Sequence, residues 1–430
     1  MSQFEPEFQQ AASQIEKSIQ PYLKQHPEIV ESGILDRIKM PDRIIQFKVT
    51  WMDDNNKLRV NTGYRVQFNN AIGPYKGGIR FNKNVNLSIM KFLAYEQVFK
   101  NALTGLPMGG AKGGADFDPS DKSPGEIMRF TQAFMDELVK HIGPTLDVPA
   151  GDLGVGHQEI GYMMGHYKKL TGRSEGVFTG KPVVGGGSVN RTEATGYGLL
   201  YIMERALVDL DEKLEGKKVL VSGSGNVGLH AAEKAADLGA IVRGISNIHG
   251  TLIDEIGLDT ELIKELRQEG SHNLEKYVET YPHAEFFPDN KHIYTETCDM
   301  FLFCATQNEA GLDEVKTLIE KGCRFIGEGA NMPLSNEAQD YLLEKGILYI
   351  PGKAANAGGV SVSLFEMSQN ATFLPWTASE VDKRLRQVMN HIYVTISETA
   401  KEYGAPNNFV LGANVAGFKK VVESMNLQGY

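Results

Sequence analysis

The sequence contains few cysteines and no long hydrophobic run. Only Cys298, Cys304 and Cys323 occur in its 430 residues, in apolar surroundings and without a C-x-x-C pair. This argues against a disulfide framework and a structural metal site, so we expect buried free thiols and no bound metal. The longest apolar stretches, such as MFLFCA, are far shorter than the roughly 20 residues that a membrane helix needs. No membrane span is therefore predicted.

Basic residues are outnumbered by acidic ones, 44 to 54. The formal net charge is -10, whereas nucleic acids and anionic membranes attract a cationic surface, so neither is predicted as a partner. The opening MSQFEPEFQQ has early acidic residues and no cationic lead into an apolar core, unlike a secretory signal. We therefore expect a cytoplasmic protein.

Glycine, in contrast, is abundant, and it surrounds particular lysines. Lys112 lies in PMGGAKGGADFDP, Lys76 in GPYKGGIRF and Lys100 in FKNALTG. A single lysine is usually a solvated surface charge. Three lysines in glycine-rich or apolar sequence instead predict a basic pocket for a small dianion. The glycines would let the main chain approach a ligand, some of them in conformations closed to other residues. Burial and the charges of Lys76 and Lys100 should lower the pKa of Lys112.

The spacing of apolar residues predicts an α/β fold. Residues 4 to 40 have the pattern of amphipathic helices, and RIIQFKVTWM and LRVNTGYRVQF alternate as half-buried strands do. The helical segment NLSIMKFLAYEQVFKNAL places Gln97 and Lys100 on nearly one face. The glycine cluster in KPVVGGGSVNRTEATGYG predicts a crossing between domains near residue 189.

A second region has the pattern of a nucleotide-binding unit. KKVLVSGSGNVGLHAAEKAADLGAIVRGISN contains a strand, a glycine turn, a helix and a second strand, which predicts a parallel sheet. GSGNVG matches G-x-G-x-x-G in the strand-to-helix context that dinucleotide binding requires; the alternative is a tight turn in an unrelated α/β fold. The motif residues are Gly223, Ser224, Gly225, Asn226, Val227 and Gly228.

The end of the second strand bears on cofactor choice. It reads GISNIHG and lacks the Asp or Glu that usually binds the ribose 2′-hydroxyl of NAD. Ser246 and Asn247 are neutral, so nothing there repels a 2′-phosphate. NADP is favoured, and NAD use is the alternative. His249 is a candidate to assist the 2′-phosphate.

The motifs together resemble those of hexameric bacterial glutamate dehydrogenases, of the Glu/Leu/Phe/Val dehydrogenase superfamily. GPYKGGIRF, MGGAKGGADFDP, DVPAGDLGVG, RTEATGYG, SGSGNVG, EGANMP and NAGGVSVSLFEMSQN occur in the family's order over nearly the whole chain. The resemblance implies reversible conversion of L-glutamate, water and NAD(P)+ into 2-oxoglutarate, ammonium and NAD(P)H. It also implies a homohexamer.

The resemblance also implies site residues. Lys112 would be the catalytic lysine, and Asp152 its acidic, proton-relaying partner. The substrate residues would be Lys76 and Ser363 at the side-chain carboxylate, and Lys100 and Gln97 at the α-carboxylate, with backbone contact from Gly151. The cofactor residues would be Thr195, the six residues Gly223 to Gly228, Ser246, Asn247, Ala305, Thr306 and Asn331.

We therefore expect a two-domain α/β protein. Residues 1–188 would form the substrate-binding and oligomerisation domain, and 189–365 a Rossmann-like NAD(P)-binding domain. Residues 366–430 would be helices returning to the first domain.

Two other functions remain as alternatives. A dehydrogenase of an apolar amino acid, such as leucine or phenylalanine, would share the fold, but it would have an apolar residue in place of Lys76, because an unpaired ammonium there is unfavourable. A catalytically silent nucleotide-binding regulator would be expected to lack Lys112 or Asp152.

Overall fold

A computed structural model describes residues 5–270 and 273–429 and divides the chain into two compact units. The first unit contains the chain up to Arg191, Val360–Val381 and the stretch from Asn414 onward. The second contains Thr192–Gly359 and Asp382–Ala413. The last three helices are α15 (Gly358–Thr372), α16 (Ala378–Glu402) and α17 (Phe409–Gln428), and the division falls inside each of them.

These limits differ from the predicted boundaries at 188/189 and 365/366. The first crossing follows Arg191, and the chain re-enters the first unit at Val360. Most of α16 groups with the second unit, although the sequence assigned it to the returning helices. Its side chains explain this, because Asp382 accepts a hydrogen bond from Tyr201 and Arg386 Nη2 lies 2.7 Å from Glu204 Oε2.

The first unit is built around a five-stranded mixed sheet in the order β1-β2-β4-β3-β5, in which β3 runs parallel to β4 and β5. Its strands are β1 (Arg43–Met52), β2 (Leu58–Asn69), β3 (Tyr75–Phe81), β4 (Gly110–Ala115) and β5 (Asp147–Gly151). Its helices before the crossing are α1 (Pro6–Ser18), α2 (Gln20–Gln25), α3 (Pro27–Glu31), α4 (Ile34–Ile38), α5 (Leu87–Leu103), α6 (Pro124–Leu138) and α7 (His157–Thr171).

Alternation along β1 determines which face of the sheet is covered. Val49 and Trp51 are buried in a core cluster that also contains Phe130 and Phe134 of α6. The intervening residues, such as Thr50 and Met52, are exposed, as period-two side-chain alternation requires. The predicted strands and the helices before them are confirmed for the described residues.

Glycine lets the central strands approach their neighbours. A Cβ on Gly77 of β3 would lie 1.7 Å from the Ala111 carbonyl oxygen, and one on Gly110 would lie 2.6 Å from Val98 N of α5. No glycine between residues 109 and 114 has a positive φ. The expectation that some of them adopt conformations closed to other residues is therefore wrong; what they permit is close packing.

The second unit contains a seven-stranded sheet in the order β12-β11-β10-β6-β7-β8-β9. Its strands are β6 (Lys218–Ser222), β7 (Ile241–Asn247), β8 (Gly250–Ile253), β9 (Glu285–Phe287), β10 (Met300–Phe303), β11 (Phe325–Glu328) and β12 (Leu348–Ile350). Its helices before α15 are α8 (Ala194–Val208), α9 (Asn226–Asp237), α10 (Thr260–Glu269), α11 (Tyr277–Thr280), α12 (Leu312–Glu320), α13 (Asn336–Glu344) and α14 (Gly352–Ala355).

The predicted parallel sheet is confirmed for β6, β7, β10, β11 and β12. The strands β8 and β9 were not predicted from the sequence; β8 pairs antiparallel with β7, and β9 pairs antiparallel with β8. Asn247 makes this hairpin possible, because its side-chain oxygen accepts hydrogen bonds from the backbone N–H groups of His249 and Gly250. Within the described residues, no helix is both long enough and apolar enough to cross a membrane.

The close approach at Gly77 predicts that Gly77→Ala destabilises the protein. The new methyl group would overlap the Ala111 carbonyl, and overpacking of this kind costs about 1–3 kcal/mol. Gly161→Ala is the matched control, because this α7 position has open space and alanine favours a helix by about 1 kcal/mol. Thermal unfolding should show a lower Tm for the first variant and a higher Tm for the second. An unchanged Tm for Gly77→Ala would contradict the packing argument.

Candidate active site

Three neighbouring strands of the first unit bring Lys112 and Asp152 together. Lys112 lies on β4, and Asp152 directly follows β5. The two strands flank β3, where Ile79 is paired with Gly113 on one side and Gly151 on the other. Lys112 Nζ is consequently 3.2 Å from Asp152 Oδ1. Arg80 of β3 donates a hydrogen bond from Nε to Asp152 Oδ2 at 2.7 Å, so two cations contact one carboxylate.

The electrostatics of this cluster favour a less basic lysine. Burial lowers the pKa of Lys112, the charge of Asp152 opposes the shift, and Arg80 and Arg65 add to it. Burial by itself would raise the pKa of Asp152, but Lys112 and Arg80 outweigh it and hold that pKa below its ordinary value. The direction expected for Lys112 is confirmed. Arg80 and Arg65 are cationic neighbours that the sequence did not predict for this effect, and Lys112 and Lys100 also repel each other.

Lys100 and Gln97 lie on α5, which packs on β4. Burial lowers the pKa of Lys100 to about 8, the charge of Lys112 adds to this, and Asp152 opposes it. Gln97 Nε2 donates to Asn101 Oδ1 at 2.7 Å, and Asn101 Nδ2 donates to the carbonyls of Lys76 and Gly109. Asn101, which the sequence analysis missed, therefore ties the α5 face to the strands.

Lys76 is almost completely buried on β3. Its Nζ donates to Thr179 Oγ1 at 2.8 Å, and its exposed fraction is 1%. Burial is the largest cause of a pKa well below the ordinary lysine value, and Arg191 and Arg65 lower it further. Lys76 is therefore a desolvated donor next to two guanidinium groups.

Ser363 lies on α15, within the part of that helix that belongs to the first unit. Its hydroxyl accepts a hydrogen bond from Arg191 Nε at 3.0 Å. Arg191 therefore contacts Ser363 and also repels the ammonium form of Lys76. Neither Arg191 nor Thr179 was predicted as a site residue, although RTEATGYG contains Arg191 and VFTGKP contains Thr179.

A buried ion pair connects strands β2 and β5 next to this region. Arg65 of β2 and Asp147 of β5 are both completely buried; Arg65 Nε donates to Asp147 Oδ2 at 2.9 Å. Gln67 Nε2 also donates to Asp147, and Arg65 Nη1 donates to the Gly77 carbonyl. These bonds fix the spacing of β2, β3 and β5, but no local sequence signal pairs residues so far apart.

In the second unit, the glycine motif has the geometry of a dinucleotide-binding turn. Gly223 has a φ of 84°, and a Cβ on Gly228 would lie 1.7 Å from the Gly223 carbonyl oxygen. The first and third glycines therefore have the turn and packing roles that the motif predicts. Helix α9 begins after Gly225, which has no side chain to cap the first-turn N–H groups. These N–H groups suit a pyrophosphate.

The remaining predicted cofactor residues lie at the ends of strands or the starts of helices. At the end of β7, Ser246 is buried and Asn247 is partly buried. After β10, the backbone N–H groups of Ala305 and Thr306 donate hydrogen bonds to Glu309 Oε2 at 3.2 and 3.4 Å. Asn331, after β11, accepts a hydrogen bond from Asn356 at 2.7 Å. Thr195 is in the first turn of α8, and Asn226 Nδ2 donates to the Thr192 carbonyl at 2.6 Å.

Glu328 was also missed by the sequence analysis. It ends β11, accepts hydrogen bonds from Tyr349 Oη and Gly352 N, both at 2.7 Å, and is buried. Burial raises its pKa to about 7.

All three cysteines are buried free thiols, as predicted. In the described part of the chain, no group of three or more His, Cys, Asp or Glu residues could hold a metal ion.

A parallel sheet with a glycine-rich turn, together with a cationic site on a second sheet, defines the class of two-domain nucleotide-dependent dehydrogenases. The profile of the Glutamate/Leucine/Phenylalanine/Valine dehydrogenase family matches residues 186–429, and that of the Glu/Leu/Phe/Val dehydrogenase dimerisation domain matches 41–169. The chain therefore belongs to this family.

Individual relatives extend the match to nearly the full length. An NADP-specific glutamate dehydrogenase of Helicobacter pylori is 50% identical over 99% of this chain and 96% of its own. An NAD-specific enzyme of Clostridium symbiosum is 49% identical over 99% and 95%.

Two solved structures show the same fold. The glutamate dehydrogenase of Plasmodium falciparum has a TM-score of 0.96 at 45% identity, over 99% of this chain and 92% of its own. A hetero-hexameric glutamate dehydrogenase of Thermus thermophilus has a TM-score of 0.87 at 28% identity, over 100% and 99%.

The lowered pKa of Lys100 predicts that Lys100→Met stabilises the fold near neutral pH. Protonated Lys100 costs the folded state free energy below about pH 8, and this cost disappears as the pH rises toward the unfolded lysine value near 10.4. The unfolding free energy should rise by about 2–3 kcal/mol at pH 7, and the difference should shrink between pH 8 and pH 10. Denaturant unfolding at several pH values measures it. Lys140→Met, at an exposed position, is the control and should show no such trend. A Lys100→Met variant less stable than the parent at pH 7 would contradict the expectation.

Proposed function

We propose that this protein is a glutamate dehydrogenase that interconverts L-glutamate and 2-oxoglutarate plus ammonium, with NADP(H) favoured and NAD(H) as the alternative cofactor. The observation that carries the proposal is the buried Lys76 ammonium, close to the charge of Arg191, which in turn contacts Ser363. A buried cation of this kind needs an anionic partner, and the side-chain carboxylate of glutamate supplies one.

The two ends of the substrate would bind different elements. Lys76 and Ser363 would hold the side-chain carboxylate, by charge and by a hydroxyl hydrogen bond. Lys100 and Gln97, on α5, would hold the α-carboxylate, and the backbone at Gly151 would contact the substrate beside them. Lys100 has a pKa of about 8, and the protonated fraction of its amine would rise when the carboxylate binds.

Lys112 and Asp152 would perform the proton transfers. A bound NAD(P)+ supplies the acceptor for the Cα hydride of glutamate. The substrate is then an iminium, and the neutral amine of Lys112 takes a proton from a water molecule as that water adds to the carbon. Asp152 would carry protons between the substrate nitrogen and solvent while the carbinolamine loses ammonia. Arg80 keeps the Asp152 carboxylate in place through the 2.7 Å hydrogen bond.

The cofactor would bind the second unit through the turn from Gly223 to Gly228 and the start of α9. Thr195, Ala305, Thr306 and Asn331 would complete the site at neighbouring positions. Ser246 and Asn247 leave the end of β7 without a carboxylate, which supports NADP. The related chains include both NADP-specific and NAD-specific enzymes, so NAD remains the alternative.

A homohexamer is part of the proposal. The sequence resemblance and the hetero-hexameric structural relative support it. The cytoplasmic location expected from the sequence also stays a prediction.

Lys112→Ala tests the catalytic assignment. Loss of the base should lower kcat by about 10²- to 10⁴-fold, because general acid–base catalysis contributes that much. The measurement is the absorbance of the reduced nicotinamide with 2-oxoglutarate and ammonium, using NADPH and NADH in parallel. Exposed Lys140→Ala is the control. Near-normal turnover by a folded Lys112→Ala variant, or an inactive parent enzyme, would refute the proposal; the latter would favour the silent nucleotide-binding alternative.

Lys76→Leu tests the substrate assignment. Removing a charged hydrogen-bond donor should lower kcat/KM for glutamate by about 10- to 100-fold, while the value for norvaline, an apolar analogue, should fall less or rise. Steady-state kinetics with both substrates measure the ratio. An unchanged preference for glutamate would remove Lys76 from the carboxylate site, whereas a parent enzyme that prefers norvaline would favour the apolar-substrate alternative.

A further inference from the structure

A buried ion pair adjoins the substrate residues without contacting Lys76 directly. Glu366 of α15 is completely buried, and Lys181 is 4% exposed. Lys181 Nζ lies 2.5 Å from Glu366 Oε1 and also donates to the Phe178 carbonyl at 2.6 Å. Gly180 N donates to Glu366 Oε2 at 3.0 Å. One carboxylate therefore holds both the backbone and a side chain of residues 178–181.

This segment contains Thr179, the hydrogen-bond partner of Lys76. Thr179 is fully buried, and its N–H donates to the Pro149 carbonyl of β5 at 3.0 Å. Glu366 is also one helical turn after Ser363, so the two side chains share a face of α15. Glu366 thus connects the helix that bears Ser363 to the segment that receives the Lys76 ammonium.

We propose that Glu366 is a positioning residue for the side-chain carboxylate pocket: it fixes residues 178–181 so that Thr179 orients Lys76. This inference rests on the proposed role of Lys76 in binding the substrate.

The charges around Lys76 give Glu366 its electrostatic role. Arg191 and Arg65 repel the Lys76 ammonium, whereas Glu366 and Asp147 attract it. Asp147 accepts hydrogen bonds of 2.9 Å from Arg65 and Gln67, and Glu366 is paired with Lys181. Glu366 opposes the fall in the pKa of Lys76, so neutralising Glu366 would lower that pKa further, and the ammonium would lose its proton at a lower pH.

Glu366→Gln tests the inference, because it keeps the shape and removes the charge. We expect KM for 2-oxoglutarate to rise about tenfold or more, which corresponds to about 1.4 kcal/mol, while kcat changes by less than about threefold. The basic limb of the pH profile of kcat/KM should move to lower pH. Isothermal titration of 2-oxoglutarate should show the same loss of affinity.

The double variant Glu366→Gln with Lys181→Met separates positioning by charge from general stability. It leaves no unpaired charge in the buried pair, so its Tm should recover relative to Glu366→Gln, but the raised KM should remain, because residues 178–181 still lack their ionic contact with α15. Asp53→Asn is the matched control, because Asp53 likewise accepts hydrogen bonds from the backbone and from one cation: Asn55 N, Lys57 N and Arg59 Nε bind it at the β1–β2 turn. It should lower Tm and leave KM unchanged.

The outcomes distinguish the inference from the proposed function. If Lys76→Leu impairs glutamate selectivity but Glu366→Gln shifts neither KM nor the basic limb, the inference is wrong and the function stands. If KM recovers together with Tm in the double variant, Glu366 is only structural and the inference is also wrong. If Lys76→Leu itself has no effect, the proposed carboxylate pocket is wrong.

Discussion

The site in the first unit depends on several buried cationic side chains that are stabilised by a smaller number of carboxylates. Lys76, Lys112 and Arg65 are almost entirely removed from solvent, and Asp147 and Asp152 each contact a cation directly. Burying charge is costly unless geometry compensates. The parallel register of β4, β3 and β5 provides this geometry, because it places Lys112, Arg80 and Asp152 at adjoining positions of three strands. The surplus of positive charge that remains makes the site suitable for a dianion.

Local sequence patterns predicted much of this arrangement. The lysines in glycine-rich sequence, the helical spacing of Gln97 and Lys100, and the strand–turn–helix context of GSGNVG are short-range signals that the structure places as expected. The partners of those residues were not predictable in the same way. Arg80, Thr179 and Glu366 act through strand register and helix packing over long sequence separations, and one chain provides no pattern for such pairings.

The second unit illustrates a different limit. β8 and β9 are only four and three residues long, too short for alternation to indicate a strand. Asn247 was considered as a cofactor residue, whereas its side-chain oxygen stabilises the turn into β8. A structural and a ligand-binding role for Asn247 are compatible, because an amide also has donors.

The glycine positions of the central strands have no room for a side chain, and this limits how the site can change during evolution. Gly77 and Gly110 have backbone atoms where a first side-chain carbon would go, so these strands cannot be resculpted one residue at a time. New substrate ranges would have to arise from the neighbouring helices α5 and α15, whose side chains face the same cations. Adaptation to a new substrate would therefore depend on side chains of these helices and not on the sheet.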